Sequence, residues 1–149
     1  MQSKLVIFRQ ADTRDIAVMS TIRLAVTENV LSNPGRITTQ MYEDYLELLG
    51  RGWVAEIDGV IAGFSYANKT DGSIWALFIS PEHEGRGLAK RLLEMAVSWL
   101  FEQGLDSVHL STGADTRADR FYAMQGWTRE RVEGGDAFYL LRKFPIYNN

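Results

Sequence analysis

The stretch "SIWALFISPEHEGRGLAKRLL", residues 73–93, contains an apolar run, a pair of glycines and the start of a helical pattern. Residues 74–79 are apolar at every position, which is typical of a central strand covered on both faces. From Leu88 onward the apolar residues recur at helical spacing, and Gly104 is a helix-ending residue. A strand that leads through a turn into a long helix predicts an α/β fold.

The two glycines, Gly85 and Gly87, have two readings. Either they only ease a turn, or they bring bare backbone N–H groups close to an anion. A helix N-terminus has unpartnered N–H groups and the positive end of the peptide dipole, so residues 84–90 could wrap a pyrophosphate. The stretch contains no GxxxxGK[ST], and Lys90 stands where GxGxxG has its third glycine.

The rest of the chain predicts a mixed sheet. Residues 4–9 indicate a strand, a helix is predicted from Asp12 and a shorter one over 38–50, and Asp58-Gly59 is typical of a tight hairpin turn. The predicted order is β-α-α-β-β-β-α-β-α-β-β in one α/β (α+β mixed-sheet) domain over residues 1–149. Both strand–helix–strand runs around the long helices predict parallel crossovers, and the hairpins predict antiparallel neighbours.

Composition limits the function classes. A net charge of −3 over 149 residues argues against nucleic acid as the main partner. No cysteine and only two histidines leave no disulfide, thiolate site or cysteine nucleophile, and no metal is predicted; His109 is expected to be a hydrogen-bonded core residue. The N-terminal apolar run is too short for a signal peptide or a membrane span, so a cytoplasmic protein with no membrane partner is predicted; a homodimer stays open.

Two motifs resemble the GNAT superfamily of N-acetyltransferases. The stretch Glu84-Gly85-Arg86-Gly87-Leu88-Ala89 resembles the family pattern [Q/R]-x-x-G-x-[G/A], which binds the pyrophosphate of acetyl-coenzyme A. Glu84 departs from that pattern, so its side chain is expected to turn outward and only its N–H to serve. Residues 116–127 resemble the later pattern N-x-x-A-x-x-x-Y-x-x-x-G-[F/W], shortened by one residue before the tyrosine, with Tyr122 as its tyrosine and Thr116 in place of asparagine.

The resemblance implies the GNAT-like acyl-CoA N-acyltransferase fold and an N-acetyltransferase that uses acetyl-coenzyme A as co-substrate and transfers directly to a primary amine. Tyr122 would protonate the leaving thiolate, and the N–H of Leu77 or Phe78 would face the thioester oxygen. Some members carry a glutamate where this chain has Ser73, so Glu28 or a water chain is the candidate base. The implied cofactor-binding residues are Leu77, Phe78, Ile79, Glu84, Gly85, Arg86, Gly87, Leu88, Ala89, Lys90, Thr116 and Tyr122.

The acceptor is expected to be a small-molecule or peptide amine. Its pocket would lie between the first two helices and the last hairpin, where Glu28, Tyr42, Glu133 and Asp136 could attract a cation. Glu84 and the missing base favour an alternative, a non-catalytic acyl-coenzyme A-binding or regulatory domain on the same fold.

Overall fold

A seven-stranded mixed sheet organises the residues that the computed structural model describes, 5–25 and 49–144. The second predicted helix, over 38–50, falls almost entirely outside these ranges. The strands are β1 (Val6–Gln10), β2 (Gly50–Ile57), β3 (Val60–Asn68), β4 (Ser73–Ile79), β5 (Ser107–Gly113), β6 (Thr128–Glu133) and β7 (Asp136–Arg142), in the spatial order β1-β2-β3-β4-β5-β7-β6. The helices are α1 (Ile16–Ala25), α2 (Leu88–Glu102) and α3 (Arg117–Met124), with 3-10 turns at Thr13–Asp15 and Pro81–His83.

Each face of the sheet has its own core. Alternation along β2 sends Trp53 and Ala55 into the cluster that contains Leu92 and other buried residues of α2. Val54, between them, joins Met19 of α1 on the opposite face. The mixed α/β fold and most predicted elements are therefore confirmed, with ends shifted by one to three residues.

The predicted hairpin between β2 and β3 is confirmed. Asp58 and Gly59 both have positive φ, 51° and 82°, the combination that a two-residue turn of type I′ needs. The strands on either side pair antiparallel, with Ile57 opposite Val60.

One of the two predicted parallel crossovers is wrong. β4 and β5 are parallel and joined through α2, but β1 and β2 are antiparallel, with Phe8 opposite Ala55. A parallel neighbour enters the sheet at the end opposite to the one where the preceding strand leaves it. The segment between β1 and β2, residues 11–49, instead returns to the end where β1 leaves, and β2 runs antiparallel to β1.

β4 and β5 meet at one register position only, Ser73 opposite His109. Beyond it β4 stays paired with β3 as far as Ile79, while β5 pairs with β7 along its whole length. The register of β3 and β4 shifts after Tyr66, which leaves Trp75 as an extra residue of β4, and such a bulge bends the strand. The sheet therefore opens between the carboxyl ends of β4 and β5.

His109 is not the core residue that its strand predicted. It is exposed, and its Nε2 lies 2.8 Å from the carbonyl oxygen of Asp71, to which the ring N–H can donate. The alternation of β5 explains this, since Val108 and Leu110 take the buried positions. Within residues 5–25 and 49–144, no helix combines the length and apolar character that crossing a bilayer requires.

Candidate functional site

A cavity of about 500 Å³ lies where β4 and β5 diverge. Its walls are the end of β4 (77–79), the glycine loop with the first turn of α2 (83–90), and one face of α3 (117–125). A cavity of this size is in the range of small-molecule and cofactor sites. Of the twelve predicted cofactor-binding residues, all but Thr116 line it.

The loop glycines adopt a backbone conformation that other residues rarely take. Gly85 and Gly87 have φ of 78° and 79°, and a Cβ on either would meet no protein atom within 4 Å. Glycine is thus needed for the left-handed conformation, and the space beside each is open. Gly87 is also the N-cap of α2 and has no side chain to cap it, so the first N–H groups of the helix remain available to a ligand.

The cavity is cationic although the chain has a net charge of −3. Arg86, Lys90 and Arg117 line it together with one carboxylate, that of Glu84. Cationic side chains beside a helix N-terminus favour an anionic guest. The arrangement fits a phosphate-bearing ligand on charge as well as on backbone geometry.

The Glu84 side chain lines the cavity, but its carboxylate is paired. Oε2 accepts a hydrogen bond of 2.5 Å from Nη1 of Arg117 on α3, an ion pair that joins the loop to the helix across the cavity. The sequence predicted that this side chain would turn outward. The ion pair offsets its negative charge instead.

Tyr122 lies on α3 at the inner wall of the cavity and is 6% exposed. Its ring packs against those of Trp127 and Tyr139, with centroids 6.0 and 5.8 Å away. Burial raises the pKa of the Tyr122 hydroxyl above its ordinary value. The hydroxyl therefore keeps its proton at neutral pH.

Thr116 has the contacts of a helix cap. Its hydroxyl donates to the carbonyl of Gly113 at 2.7 Å and accepts from the N–H of Asp119 at 3.2 Å, and it lies outside the cavity wall. Counted back from Tyr122, the asparagine position of the family pattern falls on Asp115 with no residue missing. Asp115 has φ of 64°, a left-handed conformation that Asn and Asp adopt more readily than most residues.

Other predicted residues do not meet in this cavity. Glu28 and Tyr42 lie outside the described residues, so neither can be placed. Glu133 is exposed and accepts from Nε of Arg131 at 3.1 Å, and Asp136 begins β7; neither lines the cavity. Within the two described ranges, no group of three His, Asp or Glu side chains has the arrangement of a metal site.

Five residues of the cavity wall were missed by sequence reasoning: His83, Arg117, Ala118, Phe121 and Gln125. Arg117, Ala118 and Phe121 are on α3, and Gln125 is its C-cap. Helical periodicity from Tyr122 would have found Ala118, four residues before it, and Gln125, three residues after it. His83 is half-buried, and its Nδ1 is buried without a hydrogen-bond partner among the described residues.

Comparison with known proteins agrees with this geometry. The model of the acetyltransferase (GNAT) family matches residues 21–127, which is more than half of the chain. The protein belongs to the GNAT family of acetyltransferases.

Its relatives by sequence include an uncharacterized N-acetyltransferase from Archaeoglobus fulgidus, 35% identical over 91 residues. That alignment covers 54% of this chain and 62% of the relative. The mycothiol acetyltransferase of an Arthrobacter species is 29% identical over 102 residues, covering 62% of this chain and 32% of that protein. The chain thus spans less than two thirds of either relative.

Solved structures share the fold at low identity. PaiA N-acetyltransferase from Thermoplasma acidophilum, in complex with coenzyme A, has a TM-score of 0.79 at 15% identity, covering 93% of this chain and 99% of PaiA. YncA from Salmonella typhimurium, with acetyl-CoA, has a TM-score of 0.75 at 19% identity, covering 92% and 93%. These likenesses confirm the predicted fold.

Proposed function

We propose that this protein is an N-acetyltransferase that moves the acetyl group of acetyl-coenzyme A to a primary amine within a ternary complex, as one domain over residues 1–149. One observation carries the proposal: a single cavity combines a glycine loop at an open helix N-terminus, three cationic side chains and a strand that leaves its neighbour. The two structural neighbours described above, solved with coenzyme A and acetyl-CoA, support the choice of ligand.

The cavity residues fit the parts of coenzyme A. The N–H groups of residues 85–90 hold the diphosphate, with Arg86 and Lys90 supplying charge. The backbone of Leu77, Phe78 and Ile79, beyond the point where β4 leaves β5, offers hydrogen bonds to the amides of the pantetheine arm. When bound, acetyl-coenzyme A supplies an acetyl group already activated as a thioester.

The backbone at Leu77 or Phe78 polarises the thioester carbonyl. An N–H aimed at that oxygen stabilises the negative charge that develops when the amine attacks. One such donor contributes about 3 kcal/mol to the transition state. Because the donor belongs to the main chain of a paired strand, it is held in place before the reaction.

Tyr122 serves the leaving group. Its hydroxyl, kept protonated by burial, donates to the departing thiolate sulfur. A phenol with a pKa above about 10 is a weaker acid than a thiol with a pKa of about 8.5, so complete proton transfer is uphill. The hydroxyl therefore acts as a hydrogen-bond donor that stabilises the thiolate.

The acetyl group passes directly to the acceptor. The chain has no cysteine, which removes the most nucleophilic side chain that could carry the acetyl group between two steps. Glu28 or a water chain takes the proton of the attacking amine. The acceptor is a small amine or a peptide amine that reaches the thioester from the side of α1.

Coenzyme A binding is tested first. Coenzyme A at one hundred times its Kd stabilises the folded state by about 2.7 kcal/mol, a rise in Tm of about 5–10 °C for a chain of this size. Absence of any shift at millimolar coenzyme A would contradict the assignment of the cavity.

Catalysis is tested by thiol release from acetyl-coenzyme A over a panel of small amines, amino acids, polyamines and peptide N-termini. Replacing Tyr122→Phe is expected to lower kcat about a hundredfold. Tyr66→Phe is the matched control, because it removes a buried hydroxyl on the opposite face of the sheet. Binding of coenzyme A without thiol release across the whole panel would support the non-catalytic alternative.

A further inference from the structure

Asp119 is a buried carboxylate, 5% exposed, on the same helix as Tyr122 and one turn before it. It does not line the cavity, so the function proposed above leaves it without a role. A carboxylate is rarely buried to this extent unless it is fully hydrogen-bonded. What it contacts therefore indicates what it does.

The Asp119 carboxylate joins three separate segments to α3. The hydroxyl of Tyr139 on β7 donates to Oδ1 and also lies 2.7 Å from the Asp119 carbonyl oxygen. Oδ2 accepts from Nη2 of Arg129 on β6 at 2.7 Å and from the N–H of Asp115 at 2.8 Å. One side chain thus fixes the start of α3 to the last two strands and to the preceding turn.

α3 depends on such contacts because it has only eight residues. A helix of this length is not stable in water by itself, so its position comes from tertiary contacts. Asp119 and Tyr122 are three residues apart and share a face. A shift of α3 at Asp119 would therefore move the Tyr122 hydroxyl as well.

A second link runs through Tyr139. Its hydroxyl is held by Asp119, and its ring packs against that of Tyr122 at 5.8 Å between centroids. Tyr139 is 1% exposed, and burial together with the hydrogen bond to Asp119 raises its pKa to about 12. The Tyr139 hydroxyl therefore remains a donor at neutral pH.

The hydrogen bond from Tyr139, with those from Asp115 and Arg129, holds the pKa of Asp119 below its usual range despite burial. Asp119 is accordingly a carboxylate at neutral pH and can accept all of these bonds at once. An asparagine in its place would accept hydrogen bonds through its amide oxygen only. Its NH2 group would face donors, with which it cannot form a hydrogen bond.

We infer that Asp119 is a positioning residue, which holds the Tyr122 hydroxyl at the leaving sulfur through α3 and through the Tyr139 ring. The inference rests on the function proposed above. It assigns Asp119 no contact with acetyl-coenzyme A or the amine. Its effect on the reaction must therefore pass through Tyr122.

The test is a double-mutant cycle on thiol release from acetyl-coenzyme A with the amine panel described above. Asp119→Asn is expected to lower kcat about tenfold, because a displacement of an ångström or less at a catalytic group costs that much or more. The KM for acetyl-coenzyme A should change less than about threefold, since the loop and β4 are untouched. In the Tyr122→Phe background, Asp119→Asn should change kcat less than about twofold.

Two further variants keep the test independent of stability. Tyr139→Phe removes only the hydroxyl that donates to Asp119 and should also lower kcat. This variant tests the inference even if Asp119→Asn does not fold. Asp106→Asn is the matched control: it removes the same charge from an exposed carboxylate that does not line the cavity and should leave kcat unchanged. Amide exchange should quicken in α3 and not in α2 when Asp119 is replaced.

The outcomes distinguish a failure of this inference from a failure of the proposed function. If Tyr122→Phe is slow and Asp119→Asn lowers kcat by the same factor with or without the Tyr122 hydroxyl, the positioning role is overturned and the leaving-group role of Tyr122 stands. The same holds if neither Asp119→Asn nor Tyr139→Phe changes kcat. If Tyr122→Phe is as fast as the unaltered protein, the leaving-group role fails and the inference fails with it.

Discussion

Glu84 and Arg117 illustrate what a single pair of side chains contributes at the cavity. The carboxylate is in the loop proposed to hold a diphosphate, where it would repel phosphate oxygens. Arg117 contacts it from α3 at 2.5 Å and offsets that charge. Both side chains are partly exposed, so solvent screens the pair and its net effect is about 1 kcal/mol or less.

Replacing Glu84 and replacing Arg117 should change the affinity for coenzyme A in opposite directions. Glu84→Gln removes a negative charge from the cavity and should tighten binding about threefold to fivefold. Arg117→Gln leaves the carboxylate unpaired and should weaken binding by a similar factor, since 1 kcal/mol corresponds to about fivefold. Kd for coenzyme A by calorimetry at low and at high salt measures both effects.

Glu82→Gln is the control, because Glu82 is two residues earlier, hydrogen-bonds Ser80 and does not line the cavity. This variant removes the same charge and should change the Kd for coenzyme A by less than about twofold. Equal tightening by Glu82→Gln and Glu84→Gln would show that only net charge matters. The ion pair would then have no specific role.

Among the elements, the junction of β4, the glycine loop and α2 decides where a ligand can bind. β4 leaves β5 after Ser73, and a bulge at Trp75 bends the strand. Gly63 permits the close approach of β3, since a Cβ there would come within 2.9 Å of the carbonyl oxygen of Phe78. The opening between β4 and β5 is thus set by strand pairing, and the glycine loop forms one wall of the cavity there.

Gly87→Ala should separate the conformational need for glycine from the space needed by a ligand. The left-handed φ of 79° costs alanine about 1–2 kcal/mol of stability. The added methyl meets no protein atom but occupies the open side of the loop, so coenzyme A should bind at least about tenfold more weakly.

Gly134→Ala is the matched variant, because Gly134 has φ of 61° in the turn between β6 and β7 and an equally open Cβ position. It should lose a similar free energy of unfolding and keep the affinity for coenzyme A. Chemical unfolding and calorimetry measure the two quantities separately. Equal losses of affinity in both variants would place the diphosphate elsewhere.

For the whole molecule, an ion-pair network joins the first strand to the rest of the sheet. Arg9 on β1 donates to Asp15 in the 3-10 turn before α1, at 2.8 and 2.9 Å, and its Nε donates to Glu56 on β2 at 2.8 Å. Asp15 is 5% exposed and also accepts from the N–H of Asp12. The hydrogen bonds from Arg9 hold the pKa of Asp15 below its usual value of 3.8.

This network predicts acid sensitivity of the fold. Because the pKa of Asp15 is lower in the folded than in the unfolded chain, the unfolded chain binds more protons below about pH 4, and stability falls as the pH drops through that window. Asp15→Asn should lower the free energy of unfolding at pH 7 by about 1–3 kcal/mol and should flatten its dependence on pH below 4.

Urea unfolding followed by circular dichroism from pH 7 to pH 2.5 measures both effects. Asp136→Asn, an exposed carboxylate at the other end of the sheet, should change neither. A variant Asp15→Asn with the same slope as the unaltered protein would show that other carboxylates carry the acid response.

Some features could be predicted because their signal lies within a few residues. The turn at Asp58-Gly59 depends on two residues that tolerate positive φ. The extent of α2 follows from its apolar spacing and Gly104. The loop from Glu84 to Lys90 is a short glycine pattern joined to that helix. Each of these depends on backbone preferences that neighbouring residues set, so the fold class and most of one cavity wall could be predicted.

Other features depend on contacts between distant segments. The antiparallel return of β1 to β2, the exposure of His109 and the pairing of Glu84 with Arg117 join parts of the chain 33 or more residues apart. The Asp119 carboxylate likewise accepts a hydrogen bond from Tyr139, which is twenty residues later in the chain. Long-range pairing and burial choose among arrangements that local preference leaves equal, and so the sheet order, the divergence of β4 from β5 and the support behind Tyr122 appear only when the chain is folded.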